Sequence, residues 1–284
     1  MSVKNLIPYL IGFTVKPAAI SILGEVTFTD GINEVTPNQL QCEAYGYTYN
    51  KVTRTCSTFR YNTNLNRVVA NENNRTYGVG NSTETGTNNT LVMGENNTVK
   101  GLSRNSIITG NQNEIANGVN NANVTGTLGE ATADNSTVLG GNTNGDALGE
   151  RQTMTVMFGR QTDVGTNKAS YLNNTTDSYF AVPENTILFF HAYVVAVRVG
   201  GSAGGNVGDY ASWVERGVVI NKSGVLSVSR ERDAIKSSGT VSGWQPTGAI
   251  LGTDFYIKVR GAANMDIEWA STVTFTQIKT GVAL

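Results

Sequence analysis

NTLVMG (89–94), NSIITG (105–110), NANVTG (121–126) and NSTVLG (135–140) are four versions of one hexapeptide, and RTYGVG (75–80) is a worn fifth. Counted to the closing Gly80, Gly94, Gly110, Gly126 and Gly140, the intervals are 14, 16, 16 and 14 residues. Side chains alternate along a strand with period two. The second and fourth positions before each Gly therefore share a face. Val92, Ile108, Val124 and Val138 fill the second position, and Thr90, Ser106, Ala122 and Ser136 the fourth. One face thus repeats small, then β-branched. Asn89, Asn105, Asn121 and Asn135 open the motif, and each interval holds a further Gly, at Gly86, Gly101, Gly118 and Gly129.

Such a period predicts a solenoid in which each coil buries its face on the next. About five coils are expected over 71–152, with Val92, Ile108, Val124 and Val138 as the core. Gly80, Gly94, Gly110, Gly126 and Gly140 are expected at the corners. Coils this thin enclose too little apolar surface to offset backbone ordering at ~1–2 kcal/mol per residue. Three rolls around a common axis would bury the outward Leu91, Ile107 and Leu139 as well, so a homotrimer is expected. The N-S-x-V-x-G pattern resembles the parallel β-roll in the heads of trimeric autotransporter adhesins. The chain departs from that family in its uneven spacing, and it shows no helical stalk or C-terminal barrel sequence. The module is therefore expected to serve a different body.

The C-terminal part describes that body. NTILFFHAYVVAVRVGG (185–201) is a strand apolar on both faces, which fits a sandwich core or a subunit interface. GVVINKSGVLSVSRER (217–232) reads as two strands about Lys222–Gly224. Phe255, Ile257 and Val259, then Ile267, Trp269, Val273 and Phe275, read as a hairpin turning at Gly261–Asn264. Short alternating strands without a helical period predict an all-β chain ending in an antiparallel β-sandwich over 153–284. FFHAYVVA, WVERG and the final YIKVRGAANMDIEWASTV are similar to C-terminal knob domains of bacteriophage fibres. That resemblance implies a structural virion fibre, on tail or head, assembled in the host cytoplasm. The alternatives are a secreted trimeric adhesin and a glycan depolymerase.

Composition bounds the remaining choices. Among 284 residues 15% are charged and the formal net charge is −1, which disfavours nucleic-acid binding. No apolar run approaches the ~20 residues of a membrane-spanning helix, so no membrane insertion is expected. The opening MSVKNLIPYLIGFTVKPAAIS reads as a strand or docking segment rather than a secretory signal. Residues 1–70 differ in composition from the rest and are expected to attach the fibre to other virion proteins.

Few residues offer chemistry. His191 is the only histidine and shares a face with Phe189, Tyr193 and Val195, a buried or interface position rather than a metal ligand. Cys42 and Cys56 stand nearly symmetric about a turn near Asn50, placed either to bond or to stay reduced in a cytoplasm. GGNTNGDAL (140–148) reads as a coil corner rather than a calcium loop. GGSAGGNVGD (200–209) lacks the Lys-Ser/Thr of a phosphate loop and reads as an exposed flexible loop. The roll's acids, Glu84, Glu95, Glu114, Glu130 and Asp134, form no repeated pair. No catalytic, cofactor or metal residues are therefore expected, and the chain is not expected to be an enzyme. Tyr210 and Trp244, in Gly/Ser-rich loops, are the candidate receptor contacts for a host-surface glycan or protein.

Overall fold

The computed structural model describes residues 14–21, 24–58, 73–239 and 241–284. The chain divides into two compact units, Met1–Val68 and Val69–Leu284.

The first unit contains β1 (Lys16–Ile20), β2 (Glu25–Thr29), β3 (Glu34–Val35), the helix α1 (Gln39–Ala44), β4 (Thr48–Asn50) and β5 (Thr55–Ser57). Its strands form one antiparallel sheet in the order β1-β2-β5-β4, with β3 on β2. Val26, Phe28, Cys42 and Cys56 are the buried apolar residues among those described, and Cys42 and Cys56 are joined by a disulfide. Sequence alternation placed Cys42 in a strand, whereas it lies on α1. There Asn38 caps the helix: its side chain accepts from the Gln41 amide, and the Gln41 side chain accepts from the Asn38 amide. That reciprocal pair starts the helix at the price of two side chains. Of the region expected to attach to a virion, residues 1–13, 22–23 and 59–70 lie outside the described residues, including most of the opening apolar stretch.

The second unit opens with the solenoid. Arg75–Val79 (β6) and Ser82–Thr83 (β7) form the first coil, Leu91–Glu95 (β8) and Thr98–Val99 (β9) the second, and Ile107–Asn111 (β10) and Glu114–Ile115 (β11) the third. Asn123–Thr127 (β12) and Glu130–Ala131 (β13) form the fourth, and Thr137–Gly141 (β14) closes the stack. About four turns are present rather than five. The ladders are parallel and stack Thr76, Val92, Ile108, Val124 and Val138 in one column. The last four of these are fully buried. Gly78, not Gly80, stands beside Gly94, so the register of the worn first copy is two residues from the one its closing Gly implies.

Four of the five glycines expected at corners are not corners; Gly80 alone lies in a bend past the end of its strand. Gly94, Gly110, Gly126 and Gly140 sit inside the long strands. Gly94 has φ +116°, and a Cβ there would overlap the Gly110 carbonyl oxygen. Buried asparagines hold these carbonyls: Asn97 Nδ2 donates to Gly110 O at 2.8 Å and Asn113 Nδ2 to Gly126 O at 2.8 Å. The Asn that opens each motif has its own cause. Asn89, Asn105, Asn121 and Asn135 all have φ of 53–57°, a left-handed conformation that Asn tolerates better than other side chains.

The sandwich follows without a break. Its strands are β15 (Arg151–Thr162), β16 (Asn167–Ala169), β17 (Tyr171–Leu172), β18 (Phe180–Ala181), β19 (Thr186–Gly200), β20 (Tyr210–Lys222), β21 (Val225–Ser237), β22 (Gln245–Leu251), β23 (Asp254–Arg260) and β24 (Asp266–Lys279). β14 pairs antiparallel with β15, so the roll's long strands and the sandwich form one sheet, β21-β20-β19-β24-β15-β14-β12-β10-β8-β6. β22, β23, β16 and β18 make the facing sheet. One hydrophobic core runs from Val92 to Phe275.

β20 and β21 turn at Ser223–Gly224, both with positive φ, as a two-residue hairpin requires. β23 and β24 do not pair, contrary to the hairpin reading. β24 is taken on both edges by β15 and β19, and the chain crosses between sheets at 261–265. Phe255 and Phe275 then meet across the core, ring centroids 5.5 Å apart.

Candidate functional site

The outer face of the long sheet is the surface that its sequence least explains as a solvated one. Register alone places Val218, Phe189, Thr276, Thr153, Leu139, Thr125, Thr109, Met93 and Tyr77 side by side across nine strands. The neighbouring row is Arg216, His191, Thr274, Thr155, Thr137, Asn123, Ile107, Leu91 and Arg75. These rows hold no Asp, Glu or Lys, and Arg only at two ends. Phe189 is 46% exposed and Leu139 57%. His191 is half-buried there, its ring 4.6 Å from that of Tyr193. The roll's opposite side is different: Lys100 Nζ lies 3.3 Å from Glu84 and 3.5 Å from Glu114, and Lys279 Nζ 3.7 Å from Glu130. Charge marks that side as the wet one.

Two rows further along, the same face carries a trough. Gly159, Ala270, Val195 and Ser212 lie abreast on β15, β24, β19 and β20. Met157, Thr272, Tyr193 and Val214 flank them on one side, and Gln161, Glu268, Val197 and Tyr210 on the other. Two hollows of about 560 Å³ and 290 Å³ adjoin at Glu268, Trp269 and Ala270 and together make up the trough. Asn135, Asn173 and Asn174 line its end, where the Asn173 side chain donates to the Asp134 carbonyl at 2.8 Å.

Of the two candidate receptor aromatics, Tyr210 is 42% exposed and lines the trough. Trp244 is only 5% exposed, its ring 6.2 Å from that of Trp269. Its Gly/Ser-rich context looks like an exposed loop, but the side chain turns into the core, so it offers no receptor contact. The Gly-rich loop 200–209 is also not the free loop expected. The Arg198 side chain is buried and donates to the carbonyls of Gly200, Gly201, Ala203 and Gly204 at 2.6–3.0 Å. A guanidinium fork thus wraps the loop around itself. GGNTNGDAL is a turn into β15, in which Asp146 accepts from Thr143 and pairs with Arg151 at 2.7 Å. Those bonds hold the Asp146 carboxyl below its ordinary value.

Sequence reading passed over Glu268, Gln161 and Glu215. Glu268 and Gln161 follow from the alternation of IEWAS and GRQT once the inward Trp269 and Thr162 are fixed. Glu215 breaks the apolar inner face of β20 and is 1% exposed. Its Oε1 accepts from the Gly248 amide on the facing sheet at 2.5 Å, and Arg230 stands 3.6 Å away. Oε2 has no partner, and burial raises the pKa despite the Gly248 bond and the nearby Arg230, Arg232 and Lys258 charges.

No family model and no curated protein sequence matches the chain. Among solved structures it is similar to the tailspike protein of Acinetobacter baumannii phage AM24, at 11% identity and a TM-score of 0.30, over 69% of this chain and 41% of that one. It is also similar to the Acinetobacter phage vB_ApiP_P1 tailspike, at 12% identity and a TM-score of 0.28, over 75% and 48% of the two chains. A third is tailspike gp49 of Acinetobacter baumannii bacteriophage Fri1, a capsular polysaccharide depolymerase, at 7% identity and a TM-score of 0.25, over 66% and 39%. The chain spans less than half the length of each tailspike. The expectation that the chain is not an enzyme is corrected here: a structural neighbour is itself described as a depolymerase, and the absence of catalysis is not retained.

Proposed function

We propose that the chain is a virion-associated attachment protein that works as a homotrimer, its subunits meeting on the two carboxylate-free rows of the long sheet. The observation that carries this reading is the row from Val218 to Tyr77, apolar or Thr at all nine strands. Eighteen residues in two rows approach the roughly 20–30 per side of a specific interface, and contiguous exposed apolar surface on this scale marks an interaction site. The sandwich, at the far end of the sheet from the first coil, faces the host, and residues 1–70 hold the virion. Light scattering of the purified protein tests the assembly: three times 30.3 kDa is expected. A single-chain mass would overturn it, and Phe189→Glu with Leu139→Glu should dissociate the trimer without unfolding its chains.

Glycan cleavage is a second reading, favoured by one feature, an unpaired carboxylate, Glu268, in the middle of the trough. Incubation with host surface polysaccharide, followed by chain-length analysis, tests it; chains that stay full length would dismiss it.

A further inference from the structure

Glu268 is the only carboxylate of the trough, and it makes no hydrogen bond or ion pair among the described residues. Gln161, beside it across the β15–β24 ladder, likewise keeps its side-chain amide free. An acceptor pair and a donor amide therefore stand together, next to the short side chain of Ala270, with Asn174 packed over Gly159 at the trough's end. On opposite flanks, Tyr193 and Tyr210 are 56% and 42% exposed. The floor's backbone is committed to the β15–β24–β19–β20 ladders, so an occupant is read by side chains and not by strand addition. This excludes the commonest way of holding an extended peptide on a sheet.

Charge narrows the occupant further. Arg160 lines the end of the trough, but its Nη1 donates to the Ala169 carbonyl at 2.6 Å and its guanidinium lies 4.8 Å from the Tyr171 ring centroid. Its Nε is buried out of reach. The trough thus presents one carboxylate, and the one cation in its lining is turned onto Ala169 and Tyr171.

We infer that the trough binds a segment of a neutral glycan, with Glu268 and Gln161 taking adjacent hydroxyls and Tyr193 and Tyr210 packing against ring faces. A sugar ring has one polar rim and two less polar faces. It fits a channel with a carboxylate and amide on one wall and an apolar flank on the other. Four strands at ~4.8 Å spacing make the channel long enough for several linked rings. The inference rests on the attachment reading for its biological sense, and on the trough alone for its chemistry.

The test uses the full-length protein and a panel of neutral hexose and N-acetylhexosamine oligosaccharides, with hexuronic-acid oligosaccharides beside them. Binding to neutral members is expected, strengthening with chain length until the channel is filled. Glu268→Gln should weaken it about tenfold, and Ala270→Trp, which fills the channel from the outer face, should abolish it. Both variants should keep the wild-type mass and melting temperature. Wild-type protein that binds no glycan, prefers the acidic series, or binds equally well as Ala270→Trp overturns the inference. Adsorption to host cells separates the two readings. Trough variants that adsorb as well as wild type sink the trough and leave attachment standing. A wild type that binds neutral glycan but does not adsorb sinks attachment and leaves the trough.

Discussion

Val138 of the last roll strand stands directly opposite Met154 of the first sandwich strand, and both are buried in one core. A solenoid and a sandwich that share a ladder and a core are one cooperative body. Ile108→Asp, in the same column as Val138, places an unpaired charge in that core at a cost of several kcal/mol. The roll and sandwich should then melt together at a lower temperature, seen by near-ultraviolet dichroism of the three sandwich Trp residues. An unchanged Trp transition would mean that the two parts fold independently.

Gly110 and Gly118 separate two reasons for a repeated glycine. Both have positive φ, but a Cβ on Gly110 would overlap the Gly126 carbonyl oxygen, whereas Gly118 has nothing within 4 Å. Gly118→Ala should cost about 1 kcal/mol of backbone strain, and Gly110→Ala should force two coils apart and cost more. Equal denaturation midpoints for the two variants would refute the close-approach argument.

Glu215 sets a pH dependence of known sign. Burial raises its pKa above the ordinary 4.5, so the fold prefers the protonated form. That contribution is full below the unfolded value and is lost as pH rises through the higher folded one. Glu215→Gln keeps the Gly248 bond and removes the charge. It should raise the melting temperature at pH 7 and lose its advantage near pH 4. A variant that is destabilised at pH 7 would show that the Arg230 contact outweighs the desolvation.

Arg198 holds four carbonyls of the 200–209 loop, which is otherwise tied by the Ala203–Asn264 bond and the Asn206–Asp209 turn. Arg198→Lys keeps the charge but not the planar fork. Limited proteolysis should then cut within 200–209 while the wild type resists. Equal resistance would place the loop's order elsewhere.

Among its described residues the first unit has four buried apolar ones, two of them the bonded Cys42 and Cys56. Closing a loop of about this length is worth roughly 3 kcal/mol, a large share of what so small a core supplies. Reductant should unfold this unit, read by hydrogen exchange at Phe28, and leave the melting of 73–284 unchanged. Protection at Phe28 that survives reduction would overturn this.

The roll was legible because its physics is local. A period-two face and a fixed repeat specify which of Val92, Ile108, Val124 and Val138 point inward, whatever lies beyond. Gly78 shows the limit, since stacking with Gly94, not the motif's last letter, decides the register. Pairing partners were not legible. Phe255–Val259 and Ile267–Phe275 alternate like a hairpin, and only competition for the two edges of β24 sends them to different sheets. Trp244 was read as exposed and Glu268 was passed over for the same reason: local composition reports loop or strand, while burial depends on the facing sheet. The α1 cap was written in NQLQ, but six residues inside an alternating stretch do not announce a helix.

A chain of hydrogen-bonded strands is also a mechanical series, and a series parts at its weakest link. Between the twelve paired positions of β15–β24 and the five of β12–β14, the β14–β15 ladder has four. A load drawn from the sandwich to the first coil therefore concentrates at Thr137–Gly140 against Gln152–Thr155, where rupture would begin while the plates on either side stayed whole.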